Sequence, residues 1–441
     1  MKWNRMLLAA GLFSGLLFVN GVQPVWAAAG IEKVTVITDV YGDGEKPSQV
    51  VLQYPRAMTA KNLSTADYTV EGRTISGVTT SSQDRTADGR DGRYVFLDLL
   101  QQNTVYDGDL ANRPDKKDEP KGQKPDNGVG VDAPMKSDRK APDLSVKVRQ
   151  VKDVKAADGR KFSRITKDLS ADETREPVLD RFKQFTYTDP ATGYTMPYNL
   201  YLPENYDPAK KYPLLFFVAD ASANINNDKT PLFQGNGATE WTSPEEQAKH
   251  PSIVLAPQYT QDMVDKLGMM TTDKNQWTDG LTLVTHLLQQ VIKDYAVDTS
   301  RIYGTGQSQG GMTNIAISDR YPDLFAAQWF VACQWDTTEM EALKDKNLWI
   351  TVCEGDNKAY PGMNEAVAKW KALGATVAQN KEPWDSKAPV AELDQKVKEL
   401  AAQGSKINYT VFAGGNHMYT WSFAYNIDAI RDWLFAQKKG V

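Results

Sequence analysis

The chain of 441 residues exceeds one average domain and sets an expectation of two. Hydrophobic residues make up 41%, charged residues 24%, and the formal net charge is -5, the composition of a globular protein. A negative balance with no basic stretch argues against nucleic acid as a partner.

In chain order, residues 1–29 read first as a signal peptide. Lys2 and Arg5 supply the positive start, and Met6 to Val19 form an apolar run that ends at Asn20. That run is too short to span a bilayer. Small residues allow cleavage after Ala27 or Ala29. No cysteine follows the run to carry a lipid, and no later segment is long and apolar enough to span. The expectation is an exported protein with no stable membrane anchor after cleavage.

Residues 30–157 predict a small Ig-like β-sandwich. Alternating stretches occur at Lys33 to Thr38, Gln49 to Tyr54, Thr74 to Thr80, Tyr94 to Leu99 and Val146 to Val151, with turn residues such as Tyr41-Gly42-Asp43-Gly44 between them. From Asp107 to Pro142 the chain is rich in Pro, Gly, Lys and Asp and nearly free of aromatics, so it predicts a mobile loop. Residues 158–180 read as a polar connector.

From 181 to 441 strands alternate with helices, the order that builds a mostly parallel sheet, and the fold class is α/β. A hairpin region at Tyr187 to Gly193, with Asp189-Pro190 as its turn, opens this body. Strands are predicted at Tyr198 to Leu202, Tyr212 to Val218, Ile253 to Leu255, Arg301 to Gly304, Leu348 to Val352 and Ile407 to Phe412. Long helices are predicted from Asp279 to Tyr295 and from Phe423 to Gln437. Thr376 to Lys406 is an insertion and a candidate cover for a pocket.

The sharpest chemical signal is Gly306-Gln307-Ser308-Gln309-Gly310, a G-x-S-x-G sequence between a strand-like and a helix-like run. Small residues two before and two after the serine are what so tight a turn requires. A serine hydroxyl is a weak nucleophile, so a base must take its proton. Of the three histidines, His250 sits at the amino end of its strand, away from the carboxyl edge where such sheets bind ligands. His286 falls on the solvent side of the helix whose apolar face holds Leu281, Val284, Leu288 and Val291. His417 follows the last strand and the loop Ala413-Gly414-Gly415-Asn416, and is selected by both elimination and position.

The acid that orients the base usually lies between serine and histidine in the chain. Asp356 in Cys353-Glu354-Gly355-Asp356 is the choice, with Glu354 and Asp336 as alternatives. Attack creates an oxyanion, whose donors are expected to be the backbone N–H of Gln309 and one from Ala219-Asp220-Ala221-Ser222, with Ala221 preferred. Trp241, Trp277, Trp335, Tyr360 and Trp421 fall in loops that should rim the site. Cys333 and Cys353 each follow a strand-like run, so a disulfide and two buried thiols are both open, and neither has metal-ligand spacing.

These stretches resemble bacterial secreted esterases that join an amino-terminal Ig-like domain to an α/β-hydrolase body, relatives of a group labelled predicted peptidases. The resemblance rests on Tyr198 to Tyr206, Val254 to Tyr259, Arg301 to Gly311 and Gly415-Asn416-His417, over about residues 180 to 438, and more faintly on Val34 to Val70. It implies a triad of Ser308, Asp356 and His417, carboxylesterase activity and no cofactor. The chain departs from that pattern at Ala219 and Asp220, where His-Gly is common, and at Cys353, where His is common. The leading reading is a secreted serine carboxylesterase acting on an ester substrate of unknown size. A peptidase or a hydrolase of polymeric esters is the alternative within enzymes, and a non-catalytic extracellular binding protein the alternative outside them. Oligomeric state is not legible here.

Overall fold

The computed structural model describes residues 30–101 and 136–440. The expected signal peptide lies outside the described residues, as does the expected mobile loop up to residue 135.

Two sheets and a small ribbon form the front of the molecule. Its strands are β1 (Lys33–Tyr41), β2 (Gly44–Met58), β3 (Tyr68–Val70), β4 (Ile75–Ser81), β5 (Gly92–Leu99), β6 (Lys147–Gln150), β7 (Val154–Lys155), β8 (Lys161–Phe162), β9 (Leu169–Ser170) and β10 (Glu173–Arg175). They assemble in the orders β10-β1-β2-β5-β4 and β3-β6-β9, with β7 paired to β8. Alternation supplies the packing: Val34, Val36, Val50, Leu52, Val95 and Leu97 point inward against Tyr68, Val70 and Val148. Tyr54, fully buried, directs its hydroxyl to Gln150 Oε1 at 2.9 Å, so its one polar group is satisfied inside this core.

The stretch 158–180, expected as a polar connector, carries short strands of its own. Leu169–Ser170 pairs with β6, and Glu173–Arg175 runs parallel to β1. β10 is an edge strand whose inward and outward positions are both polar, because Arg175 bonds Asp84 and Glu173 rather than burying apolar surface. Alternating hydrophobicity is therefore absent from its sequence.

The body is one sheet of nine strands: β11 (Lys183–Thr188), β12 (Thr195–Tyr201), β13 (Tyr212–Val218), β14 (Ile253–Pro257), β15 (Val297–Gln307), β16 (Ala327–Val331), β17 (Leu348–Cys353), β18 (Val377–Gln379) and β19 (Ile407–Phe412). Their order is β11-β12-β14-β13-β15-β16-β17-β19-β18, antiparallel at β11, β12 and β14 and parallel from β14 onward. This is the mostly parallel, doubly wound sheet of an α/β-hydrolase. The antiparallel start follows from the turn at Asp189, whose carboxylate accepts from the Thr192 hydroxyl at 2.7 Å.

Two apolar layers cover the sheet. On one face lie the helices Asp279–Asp294 and Gln309–Arg320, with Leu281, Val284, Leu288, Ile315 and Ile317 buried. On the other lie Trp241, Trp329, Trp349 and the C-terminal helix with Ile430 and Leu434. Burying each such side chain contributes roughly 1.5–3 kcal/mol. The last helix differs from its expectation, because the chain breaks into His417–Ala424 and Asp428–Ala436 around Tyr425-Asn426-Ile427.

The insertion Thr376 to Lys406 is no cover. It adds β18 at the sheet edge and the helix Val390–Ala401, whose Leu393, Val397 and Leu400 are buried in the layer that holds the C-terminal helix. Its apolar stripe is consumed by that packing.

Candidate active site

The parallel strands deliver four loops to one carboxyl edge, after Val218, Gln307, Cys353 and Phe412. Ser308 stands at the sharp turn between β15 and the helix Gln309–Arg320, with φ of 52° and ψ of -120°. Such a conformation is sterically costly for a residue with a Cβ. The turn is held by its glycines. A Cβ on Gly310 would lie 1.8 Å from the Val218 carbonyl oxygen, one on Gly306 2.5 Å from the same oxygen, and one on Gly311 2.3 Å from Cys333 Sγ. The tightness inferred from the motif thus has identified neighbours.

His417 is the first residue of a helix rather than a loop residue, since the Asn416 side chain caps that helix by accepting from Tyr419 N–H at 2.9 Å. Gly414 and Gly415 approach it with φ of 59° and 63°. A Cβ on Gly415 would meet Tyr419 at 2.4 Å and Cys353 Sγ at 2.9 Å, so the loop fits only as glycine. The acid's loop is zipped to it: Glu354 N–H donates to the Phe412 carbonyl at 2.9 Å and Gly355 N–H to the Gly414 carbonyl at 3.0 Å.

These loops bring three side chains into a relay. His417 Nε2 lies 2.8 Å from Ser308 Oγ, and His417 Nδ1 lies 2.6 Å from Asp356 Oδ2. With a carboxylate that can only accept, the imidazole carries its proton on Nδ1 and leaves Nε2 to accept from the serine hydroxyl. Asp356 is buried, and Oδ1 also accepts from the backbone N–H of Ala359 at 2.8 Å and of Lys358 at 3.1 Å. Burial pushes its carboxyl up, but the His417 bond and charge together with these two N–H groups outweigh it and hold the group below the usual carboxylate range.

The alternatives for the acid lie elsewhere. Asp336 Oδ1 accepts from Thr338 N–H at 2.7 Å, and the exposed Glu354 accepts from Gly414 N–H at 3.3 Å. His250 Nε2 meets Asp432 at 3.0 Å and its ring stacks on Phe435 at 4.6 Å. His286, expected on the solvent side of its helix, is half-buried, and its Nδ1 lies 3.1 Å from the buried carboxylate of Asp189.

A cavity of about 290 Å³ opens over Ser308, walled by Met312, Met418 and Trp421 and edged by Lys358. Of the five aromatic residues expected at the rim, only Trp421 lines it, standing edge-on to the His417 ring at 5.2 Å. Trp241 is buried against Trp329, Trp335 is buried with its N–H on Glu339, and the Trp277 ring carries the Arg320 guanidinium at 4.1 Å. Tyr360 packs at the edge of the core. Gln309 and Ala221 both line the cavity, and among the described residues neither backbone N–H donates to another protein group. Met312, Met418 and Lys358 had no signal in the sequence as wall residues, whereas Ser222 stood in the expected oxyanion loop. Which wall a loop residue joins depends on the loop's path.

Asp220, standing where His-Gly is common, is integrated rather than disruptive. Its Oδ1 accepts from Ser222 N–H at 2.9 Å and its Oδ2 accepts from Gln307 Nε2 at 3.3 Å, tying the Ala221 loop to the serine's turn. Cys333 and Cys353 are unpaired and buried. They lie in the apolar layers on opposite faces of the sheet, which rules out the open possibility of a disulfide.

Comparison with known proteins agrees with this fold. Residues 33–163 match the Esterase Ig-like N-terminal domain, and residues 268–438 match the prolyl oligopeptidase family. A solved thermostable esterase superposes with a TM-score of 0.67 at 25% identity, over 93% of this chain and 100% of that one. The chain is an α/β-hydrolase with an esterase-type Ig-like front domain. Among curated proteins, this hydrolase is 31% identical over 93 residues to feruloyl esterase B of Talaromyces funiculosus, covering 21% of this chain and 26% of that one. It is 26% identical over 121 residues to a probable feruloyl esterase C of Aspergillus terreus (strain NIH 2624 / FGSC A1156), covering 27% and 40%. The matches thus span a quarter and two fifths of those relatives' lengths.

Proposed function

We propose that this hydrolase is an exported serine carboxylesterase that works through an acyl-enzyme. Ser308 attacks the ester carbonyl, His417 takes its proton and returns it to the leaving alcohol, and Asp356 fixes the imidazole tautomer and stabilises its cation. The tetrahedral oxyanion takes hydrogen bonds from the amides of Gln309 and Ala221, and water then releases the acid. The single observation that carries this reading is the relay Ser308 to His417 to Asp356 at 2.8 and 2.6 Å.

The Ig-like esterase domain and the thermostable esterase neighbour support an ester over an amide. A cavity of about 290 Å³ sits at the small end of ligand pockets and favours a short or aromatic acyl group. Feruloyl esterases among the relatives place hydroxycinnamoyl esters on the panel to test, and Trp421 with Met312 and Met418 offers the apolar wall such a ring needs. The deciding experiment is labelling of the mature protein with a fluorophosphonate, followed by a panel of short acyl, hydroxycinnamoyl, polymeric and peptide substrates. Label on Ser308 with turnover of the small esters is expected. Absence of label would falsify the reading, and turnover of peptides alone would replace it with a peptidase.

A further inference from the structure

The segment 136–146 leads into β6 of the front sandwich, yet its first residues lie on the hydrolase body. The Ser137 hydroxyl donates to the Ser222 carbonyl oxygen, and Ser137 N–H reaches Gln261 Oε1 at 3.4 Å. The Arg139 guanidinium donates twice to Ser222 Oγ, from Nε at 3.1 Å and from Nη2 at 3.0 Å, and extends Nη1 toward the Gln234 carbonyl oxygen at 3.5 Å. Ser222 Oγ in turn donates to Asp220 Oδ1 at 2.5 Å. A hydroxyl has one proton and two lone pairs, and all three are used here.

Ser222 lines the cavity and directly follows Ala221. Its loop is therefore clamped from both sides, by Asp220 and Gln307 from within the body and by Arg139 from the front domain. Oxyanion donors act because they are fixed before charge develops, and displacement on the order of 1 Å is costly.

From this clamp we infer that Arg139 is a positioning residue, which acts through Ser222 to aim the Ala221 amide at the oxyanion. The described stretch that leads into β6, residues 136–146, thereby becomes part of the hydrolase's working apparatus. The inference rests on the ester-hydrolase reading above.

The test compares the full mature chain with Arg139→Ala, Arg139→Lys, Ser222→Ala and the Arg139→Ala, Ser222→Ala double variant. Measurements are kcat and KM on a short p-nitrophenyl ester, melting temperature, and the rate of fluorophosphonate labelling. Arg139→Ala is expected to lose about tenfold in kcat, a fraction of the cost of losing an oxyanion donor outright, with KM nearly unchanged. Arg139→Lys recovers only part, because an ammonium cannot reproduce the two-pronged contact. Added guanidinium ion at millimolar concentration restores part of the loss, and the double variant is no slower than Ser222→Ala alone. Full kcat in Arg139→Ala, additive losses in the double variant, or a loss confined to KM would each overturn the inference. Wild-type protein that takes no label sinks the esterase reading and this inference with it. Labelled, active wild type with an unimpaired Arg139→Ala sinks the inference alone.

Discussion

Ser308 is held at φ of 52°, where a side chain costs about 1–3 kcal/mol of backbone strain. Removing the Cβ relieves that strain by more than the unfolded-state entropy that glycine adds, about 0.4–1 kcal/mol. Ser308→Gly should therefore melt above Ser308→Ala in a thermal scan, with neither variant turning over ester. A Gly variant melting below the Ala variant would mean that the turn is not strained. Asp356→Asn should keep the fold and lower kcat about 10³–10⁴-fold, because the amide no longer selects the imidazole tautomer. A half-buried acid outside the relay, with both carboxyl oxygens shielded from water, gives a pH signature. Burial pushes the Asp319 carboxyl up to about 8 from 3.8, with Glu339 and Asp336 adding to the rise. A folded-state value above the unfolded one means that the folded chain holds the extra proton, so stability falls as pH rises from about 3.8 toward 8. Asp319→Asn should leave the melting temperature unchanged near pH 4 and raise it at pH 8, by roughly 2–4 °C for each kcal/mol recovered. Equal shifts at both pH values would contradict this. The three relay residues were legible because each residue type is constrained by the chemistry and by chain order. Met418 and Lys358 were not, because nothing but the loop's path sends them into the cavity.

Among elements, the turn from β15 into the helix Gln309–Arg320 depends on an atom of another strand. A methyl on Gly310 would sit 1.8 Å from the β13 carbonyl of Val218, in the central part of the sheet. Neither backbone can retreat without breaking ladder bonds, so Gly310→Ala should cost several kcal/mol, above the ~1–3 typical of overpacking. Expression of soluble protein and urea unfolding would check it, and a variant within about 1 kcal/mol of wild type would refute the tight approach. The strands of the body were readable because they are buried on both faces and appear as apolar runs, as in Leu214 to Val218. β10 and β18 escaped notice. One is polar on both faces, and the other is three residues at a sheet edge, too short to show a period. The helix expected from Phe423 to Gln437 starts only at Asp428, because Phe423 and Ala424 end the helix that begins at His417; buried Tyr425 and Ile427 sit in the break, so the apolar pattern gave no warning of it.

For the whole molecule, two described parts of the front domain touch the working edge. Arg139 reaches the Ala221 loop, and the tip of the β1–β2 hairpin abuts the helix that begins at His417. A Cβ on Gly42 would lie 1.7 Å from the Ser422 carbonyl oxygen of that helix. Gly42→Ala should push the hairpin off the body, at a cost of about 1–3 kcal/mol. A lower melting temperature and a larger radius of gyration by small-angle scattering are expected, and an unchanged radius with unchanged melting would refute tight docking. The turn sequence Tyr41-Gly42-Asp43-Gly44 marked a hairpin, but its second use as a docking tip depends on a partner nearly 400 residues away and left no trace in local pattern.

The two thiols lend the molecule one more property. Cys333 and Cys353 are unpaired, shielded from water and set in separate apolar layers. Reductant has nothing to cleave between them, so the folded chain should melt at the same temperature with and without it. A maleimide dye can reach either sulfur only when its layer opens. Mass spectrometry of dye uptake over time would then clock the opening of each half separately, without any engineered probe.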